Sequence, residues 1–270
     1  MSRTDAPYER LSSRRVRDAL RQSLASALAF AKRDRHRVFL EIGFSRSAIA
    51  PCLRAYGYGC VSIRPRSCPA LDLRSSVVRS TLLGWIRAGI VCGVVCRIDS
   101  SWSLHRCLQR SWSLPRSSEL RALPNLPDVL SHQVRSGNAL ARFAAFLLSQ
   151  CSRRRVPCLI CAPRSSTFWH LSMTLFQLYR LVHQDVSLHL CRFGASSTIP
   201  LRVIGVCCSD LSSLSLQCIR SRPHVCSTSN LPHLRIPHWV SWPQCFRESL
   251  ARILALSVEA AVTDRLSMFC

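Results

Sequence analysis

Sixteen cysteines and nine histidines are the side chains of this 270-residue chain with the widest chemistry, since they can ligate metal, attack as nucleophiles or shuttle protons. Cys207, Cys208, Cys218, His224, Cys226 and His233 lie close together in sequence, but no C-x-x-C pair of zinc-site spacing anchors them. Cys158 and Cys161 do form a C-x-x-C, inside an apolar run that reads as a buried strand. Strand geometry would keep those two side chains from converging on one ion. No G-x-S-x-G elbow marks a hydrolase, and no phosphate-binding P-loop pattern occurs. Trp102, Trp112, Trp169, Trp239 and Trp242 stand among many arginines, a combination that suits base stacking and core packing equally well.

The charge balance is strongly basic: 37 Lys and Arg against 14 Asp and Glu leave +23. Lys32 is the single lysine, so arginine supplies the rest, spread along the whole chain rather than gathered in one stripe. Nucleic acid is the first partner that such a charge suggests. Cysteine-rich chains are often disulfide scaffolds, but those are short and secreted. Here the length and the absence of a secretory opening point to reduced, buried thiols in an intracellular protein, nuclear or cytoplasmic. Met1–Arg37 is arginine-rich yet carries Asp5, Glu9 and Asp18, which argues against an organelle transit peptide. The longest apolar stretches, Ala88–Cys96 and Phe143–Leu148, fall short of the roughly 20 residues that cross a bilayer.

The elements that must position these groups follow from periodicity. Val16, Leu20, Leu24 and Leu28 recur every four residues between arginines, predicting a basic amphipathic helix over Leu11–Lys32 that docks its apolar stripe. Apolar runs at Val38–Ile42, Cys60–Ile63, Ile90–Val95, Val156–Cys161, Val186–Cys191 and Leu201–Cys208 read as buried strands. Between them lie a turn and helix at Ser45–Tyr56 and helical stretches at Val77–Ala88, Gly137–Cys151 and Phe168–Val182. Such alternation predicts an α/β fold: a Rossmann-like, mostly parallel sheet with helices on both faces. The expected organisation is a basic helical extension over 1–37, an α/β domain over 38–208, and an irregular Cys/His/Pro-rich segment with a closing helix, Phe246–Leu266, over 209–270. The Arg97–Asp128 connection is long enough to be a substrate-facing segment or slack chain.

In this order, FLEI (Phe39–Ile42), GYGCVSI (Gly57–Ile63), VVCRIDSSWS (Val94–Ser103), VPCLICAPRSS (Val156–Ser166) and CRFGASSTIPLRV (Cys191–Val203) resemble the blocks of DNA cytosine-5 methyltransferases, across roughly Val38–Ala255. The resemblance implies a methyltransferase-like fold that takes S-adenosylmethionine at the first turn. Glu41 then fits the acid that ends the first strand, while Gly43, Ser45 and Ser47 occupy the places of the phenylalanine and two glycines of the family's cofactor loop. Side chains at 45 and 47 intrude where a glycine backbone should approach the ligand, which weakens binding. Arg64 replaces the acid that holds the ribose, and Asp72 is placed to reach the adenine amino group.

The reacting groups have departed further. Ile98 and Asp99 stand where the family carries its Pro-Cys nucleophile, with Cys96 three positions from Asp99 and more simply read as core. Cys161 and Ala162 replace the Glu-Asn pair, and Arg192 and Arg202 faintly echo the later arginine block. Three expectations follow: a catalytically impaired methyltransferase-like protein with residual cofactor or nucleic-acid binding, a non-enzymatic basic nucleic-acid binder, or a decayed mobile-element reading frame.

Overall fold

The computed structural model describes residues 13–31, 37–43, 49–63, 71–73, 75–98, 128–195, 200–218 and 242–267. Within them the fold is α/β, built on one six-stranded, mostly parallel mixed sheet with helices on both faces. The strands are β1 (Val38–Ile42), β2 (Gly59–Ile63), β3 (Val91–Arg97), β4 (Cys158–Pro163), β5 (Gln184–His189) and β6 (Pro200–Val206). Their order across the sheet is β2-β1-β3-β4-β6-β5.

β1, β2, β3 and β4 run parallel, and every residue of β1 and β3 is buried. Two-sided burial is why these strands read as unbroken apolar runs instead of alternating patterns. β6 is antiparallel to both of its neighbours, β4 and β5. Only 190–199 separate β5 from β6, and four of those residues form a 3-10 turn, Leu190–Phe193. That is too short for the crossover that parallel neighbours require, so the last strand must reverse.

Alternate strand residues feed two separate cores. Leu40, Ile42, Val94 and Ile160 face the helices α1 (Ser13–Phe30), α3 (Ser76–Arg87), α4 (Asp128–Arg153) and α5 (Ser172–Arg180). Phe39, Val95, Leu159 and Val203 face α2 (Ala50–Ala55) and α6 (Gln244–Ser267). Val16, Leu20 and Ala27 of α1 are buried in the first core, and Phe246, Leu250 and Leu254 of α6 in the second. Both flanking helices are thus layers on the sheet, and the arginines Arg14, Arg15, Arg17 and Arg21 of α1 stay exposed.

Of the turn and helix expected over Ser45–Tyr56, the described residues hold the helix Ala50–Ala55, with Pro51, which has no N–H, in its first turn. One helix boundary differs from the periodicity. The Phe168–Val182 stretch splits into a 3-10 turn, Thr167–His170, and α5, separated by Leu171 in extended backbone. The Cys/His-rich residues Cys226, His224 and His233, and the connection 99–127, lie outside the described residues.

α1 reaches β2 by backbone contact. A Cβ placed on Gly59 would lie 2.0 Å from the Ala27 carbonyl oxygen, a neighbour that cannot rotate away. Gly59→Ala is therefore expected to lift α1 from the sheet edge, lowering stability by about 3 kcal/mol. Urea unfolding followed by circular dichroism measures this, and a midpoint shift below that of an exposed Ala→Gly control would refute the close approach.

Candidate functional site at the carboxyl edge

β1 has β2 on one side and β3 on the other, so successive connections leave it in opposite directions. Between the carboxyl ends of β1 and β3 the sheet therefore has a switch point, where open α/β sheets hold their ligands. Glu41, Gly43 and Arg97 define this edge.

Glu41 is fully buried on the face covered by α2 and α6. One carboxylate oxygen accepts the backbone N–H of Ile49, the residue that precedes α2, and the other accepts the Ser62 hydroxyl of β2 at 2.6 Å. An isolated buried carboxylate would be prohibitive. Hydrogen bonds to a charged group return about 1.5–3 kcal/mol each, and the start of a helix adds a favourable field. The carboxylate thus ties the start of α2 to β1 and to β2 at once. Burial and the charge of Glu41 together push the thiol of Cys60, on the adjacent strand, well up from its usual range.

Gly43 continues the ladder beyond β1. Its N–H donates to the Ile63 carbonyl at 3.1 Å, its φ is +84°, and a Cβ there would lie 2.2 Å from the Arg97 carbonyl oxygen. Only glycine meets both conditions. Arg97 itself is 9% exposed, with its guanidinium 5.0 Å from the centre of the Trp242 ring. Trp242 meets Phe246 edge-on at 5.0 Å, and Phe246 leans on Phe193 at 5.1 Å. A desolvated cation over an aromatic face contributes on the order of 2 kcal/mol. Sequence reading passed over Arg97; its signal was a cation closing an otherwise apolar run, VCGVVCR.

Asp72 lies in the short turn before α3, half-buried between the buried Leu71 and Leu73, and its carbonyl accepts the Ser75 N–H at 3.0 Å. Ser45, Ser47, Arg64 and Asp99 lie outside the described residues. Of the expected cofactor set, Glu41 and Gly43 are thus placed at the switch point by the end of β1.

The thiols near this edge are enclosed. Cys96 is fully buried in the core under α3 and α4, and burial, with neighbouring Cys158 adding, pushes its thiol far up. Cys161 is equally buried in the opposite core, and its thiol is raised by burial and by Cys96. Cys158 and Cys161 therefore point to opposite faces of β4. β4 ends in Cys161, Ala162 and Pro163 and offers no acid. Arg202 pairs with Asp185 at 3.0 Å through Nε and lies over the Trp169 ring at 4.9 Å. The Trp169 indole N–H in turn donates to the Pro163 carbonyl at 2.9 Å, which brings Arg202 to the same end of β4. Among the described residues no group of three or more His, Cys, Asp or Glu is placed to hold a metal ion.

No protein-family model matches this chain, and no curated protein matches it. No helix among the described residues is long and apolar enough to cross a membrane.

Two measurements probe the edge. Glu41→Gln keeps an acceptor for Ile49 and a donor for Ser62, whereas Glu41→Leu orphans a buried N–H; the leucine variant should be less stable than the glutamine variant by about 2 kcal/mol in urea unfolding. Equal stabilities would show that the carboxylate does not hold the turn. Iodoacetamide labelling mapped by mass spectrometry should modify the exposed Cys207 and Cys245 in the native protein, and Cys96 and Cys161 only on unfolding. Native labelling of Cys96 would reopen it as a nucleophile.

Proposed function

We propose that the chain is a methyltransferase-like α/β protein that binds S-adenosylmethionine weakly at the carboxyl ends of β1 and β3 and does not transfer methyl groups to cytosine. The observation that carries the reading is the switch in strand order between β1 and β3, with a buried acid, Glu41, near the end of β1 holding the start of α2 and the side of β2. The carboxyl side of such a switch in strand order is where open α/β sheets take nucleoside ligands. Side chains at Ser45 and Ser47 and a cation at Arg64 replace groups that would strengthen the hold. The impaired chemistry rests on the thiols. Attack on a cytosine ring needs an accessible thiolate, and Cys96 is buried in its protonated form on the far side of the sheet from Glu41.

Calorimetric titration of the full chain with S-adenosylmethionine should give saturable binding with a Kd on the order of 0.1–1 mM, a free energy of roughly −4 to −5.5 kcal/mol. Ser45→Gly with Ser47→Gly should tighten it about tenfold, or about 1.4 kcal/mol. Labelled methyl transfer to DNA should stay at background. Silence in the titration of a folded sample would defeat the cofactor reading, and methyl incorporation would defeat the impaired one.

A further inference from the structure

The opposite, amino edge of the sheet carries a different feature. A cleft of about 370 Å³ opens where β1, β3 and β4 begin, and five arginines line it: Arg37, Arg87, Arg153, Arg154 and Arg155. Arg37 directly precedes β1, Arg87 ends α3, and Arg153 ends α4 with Arg154 and Arg155 following it. The three strand starts are adjacent in the sheet, so residues from four distant parts of the chain meet at one place. Val258, Ala261 and Val262 of α6 form an apolar wall. Among the described residues no acid lines the cleft, and Glu259 follows the lining residue Val258 on α6.

The bland account of basic residues at helix ends is that they offset the helix dipole. α3 and α4 both end here, and two carboxyl termini carry together about one negative charge. Arg87 and Arg153, each in a last turn, satisfy that need. Arg37 and Arg155 exceed it.

Arg155 also holds a backbone conformation that argues for retention of its side chain. α3 and α4 end in the same capping motif. At α3, the Ile90 N–H donates to the Trp85 carbonyl and the Gly89 N–H to Ile86, with Gly89 at φ +72°. At α4, the Val156 N–H donates to Cys151 and the Arg155 N–H to Ser152, with Arg155 at φ +51°. Glycine is the low-strain residue at this capping position. The neighbouring cap has it, and here an arginine stands in the left-handed conformation, the kind of local strain that gathers at binding sites.

We propose that this arginine-walled cleft binds a short run of phosphate groups, those of a free nucleoside triphosphate or of a nucleic-acid strand. Guanidinium forks match phosphate oxygens in pairs. The volume is at the low end of small-molecule sites, about 300–1,000 Å³, so it admits a few phosphates rather than a folded macromolecule. The site lies across the sheet from the Glu41 turn and does not depend on the cofactor reading.

The test titrates the full chain at 0.15 M salt with inorganic triphosphate, with ATP, and with a fluorescent 12-nucleotide single strand. It compares the native protein, Arg87→Gln with Arg155→Gly, and the charge-matched control Arg14→Gln with Arg17→Gln on the exposed face of α1. The cleft variant should lose at least tenfold in affinity while unfolding at an equal or higher temperature, because Arg155→Gly relieves the strained cap. The control should lose less than twofold. Binding of triphosphate and ATP that the strand does not compete away assigns a free polyphosphate. Binding of the strand that triphosphate fails to displace, with the same loss in the cleft variant, assigns the nucleic-acid backbone. Saturation by neither, or equal losses in the cleft variant and the control, overturns the proposal in favour of diffuse charge.

Discussion

A carboxylate with no contact to water holds the centre of this molecule in place. Glu41 sits on a strand with neighbours on both sides, and its two oxygens fix the start of α2 and the side of β2. Removing a charge from water is tolerable only where every lone pair of consequence finds a donor. The start of α2 is therefore held to β1 and β2, and Gly43, pressed against the Arg97 backbone, fixes β3 to the same reference. The carboxyl edge owes its shape to these few contacts more than to the apolar burial around it, which is non-directional.

The two edges of the sheet are built from contrasting chemistry. At the carboxyl edge the cations are engaged: Arg97 lies on Trp242, and Arg202 is held between Asp185 and Trp169. At the amino edge the arginines of the cleft are exposed. A net charge of +23 is thus not uniform in its effect, since a cation stacked on an aromatic ring in the interior projects little field, while clustered guanidinium groups at a cleft mouth add theirs.

The cysteines behave as small apolar side chains. Nine of the twelve in the described residues are buried, all twelve are free, and burial pushes up the thiols of Cys60, Cys96 and Cys161. A thiol held protonated in a dense core packs like a compact hydrophobe and neither attacks nor ligates. Abundance of cysteine is here a packing property, which explains why C-x-x-C at Cys158 and Cys161 has no site to match: three residues along a strand put the two sulfurs in different cores.

Periodicity alone determined much of the architecture. Apolar runs of four to eight residues, too short for helices and set between amphipathic stretches, specified buried strands and hence an α/β sheet, because such runs have no other way to shelter both faces. The position of Glu41 at the end of the first run was equally legible. What the tertiary structure decided was everything that depends on which strands become neighbours. The reversal of β6, the partners of Glu41, the stacking of Arg97 on a tryptophan 145 positions away, and the convergence of arginines from three parts of the chain all arise from long-range placement. Local pattern records how much surface a residue must bury; it carries no information on which distant residue will cover it.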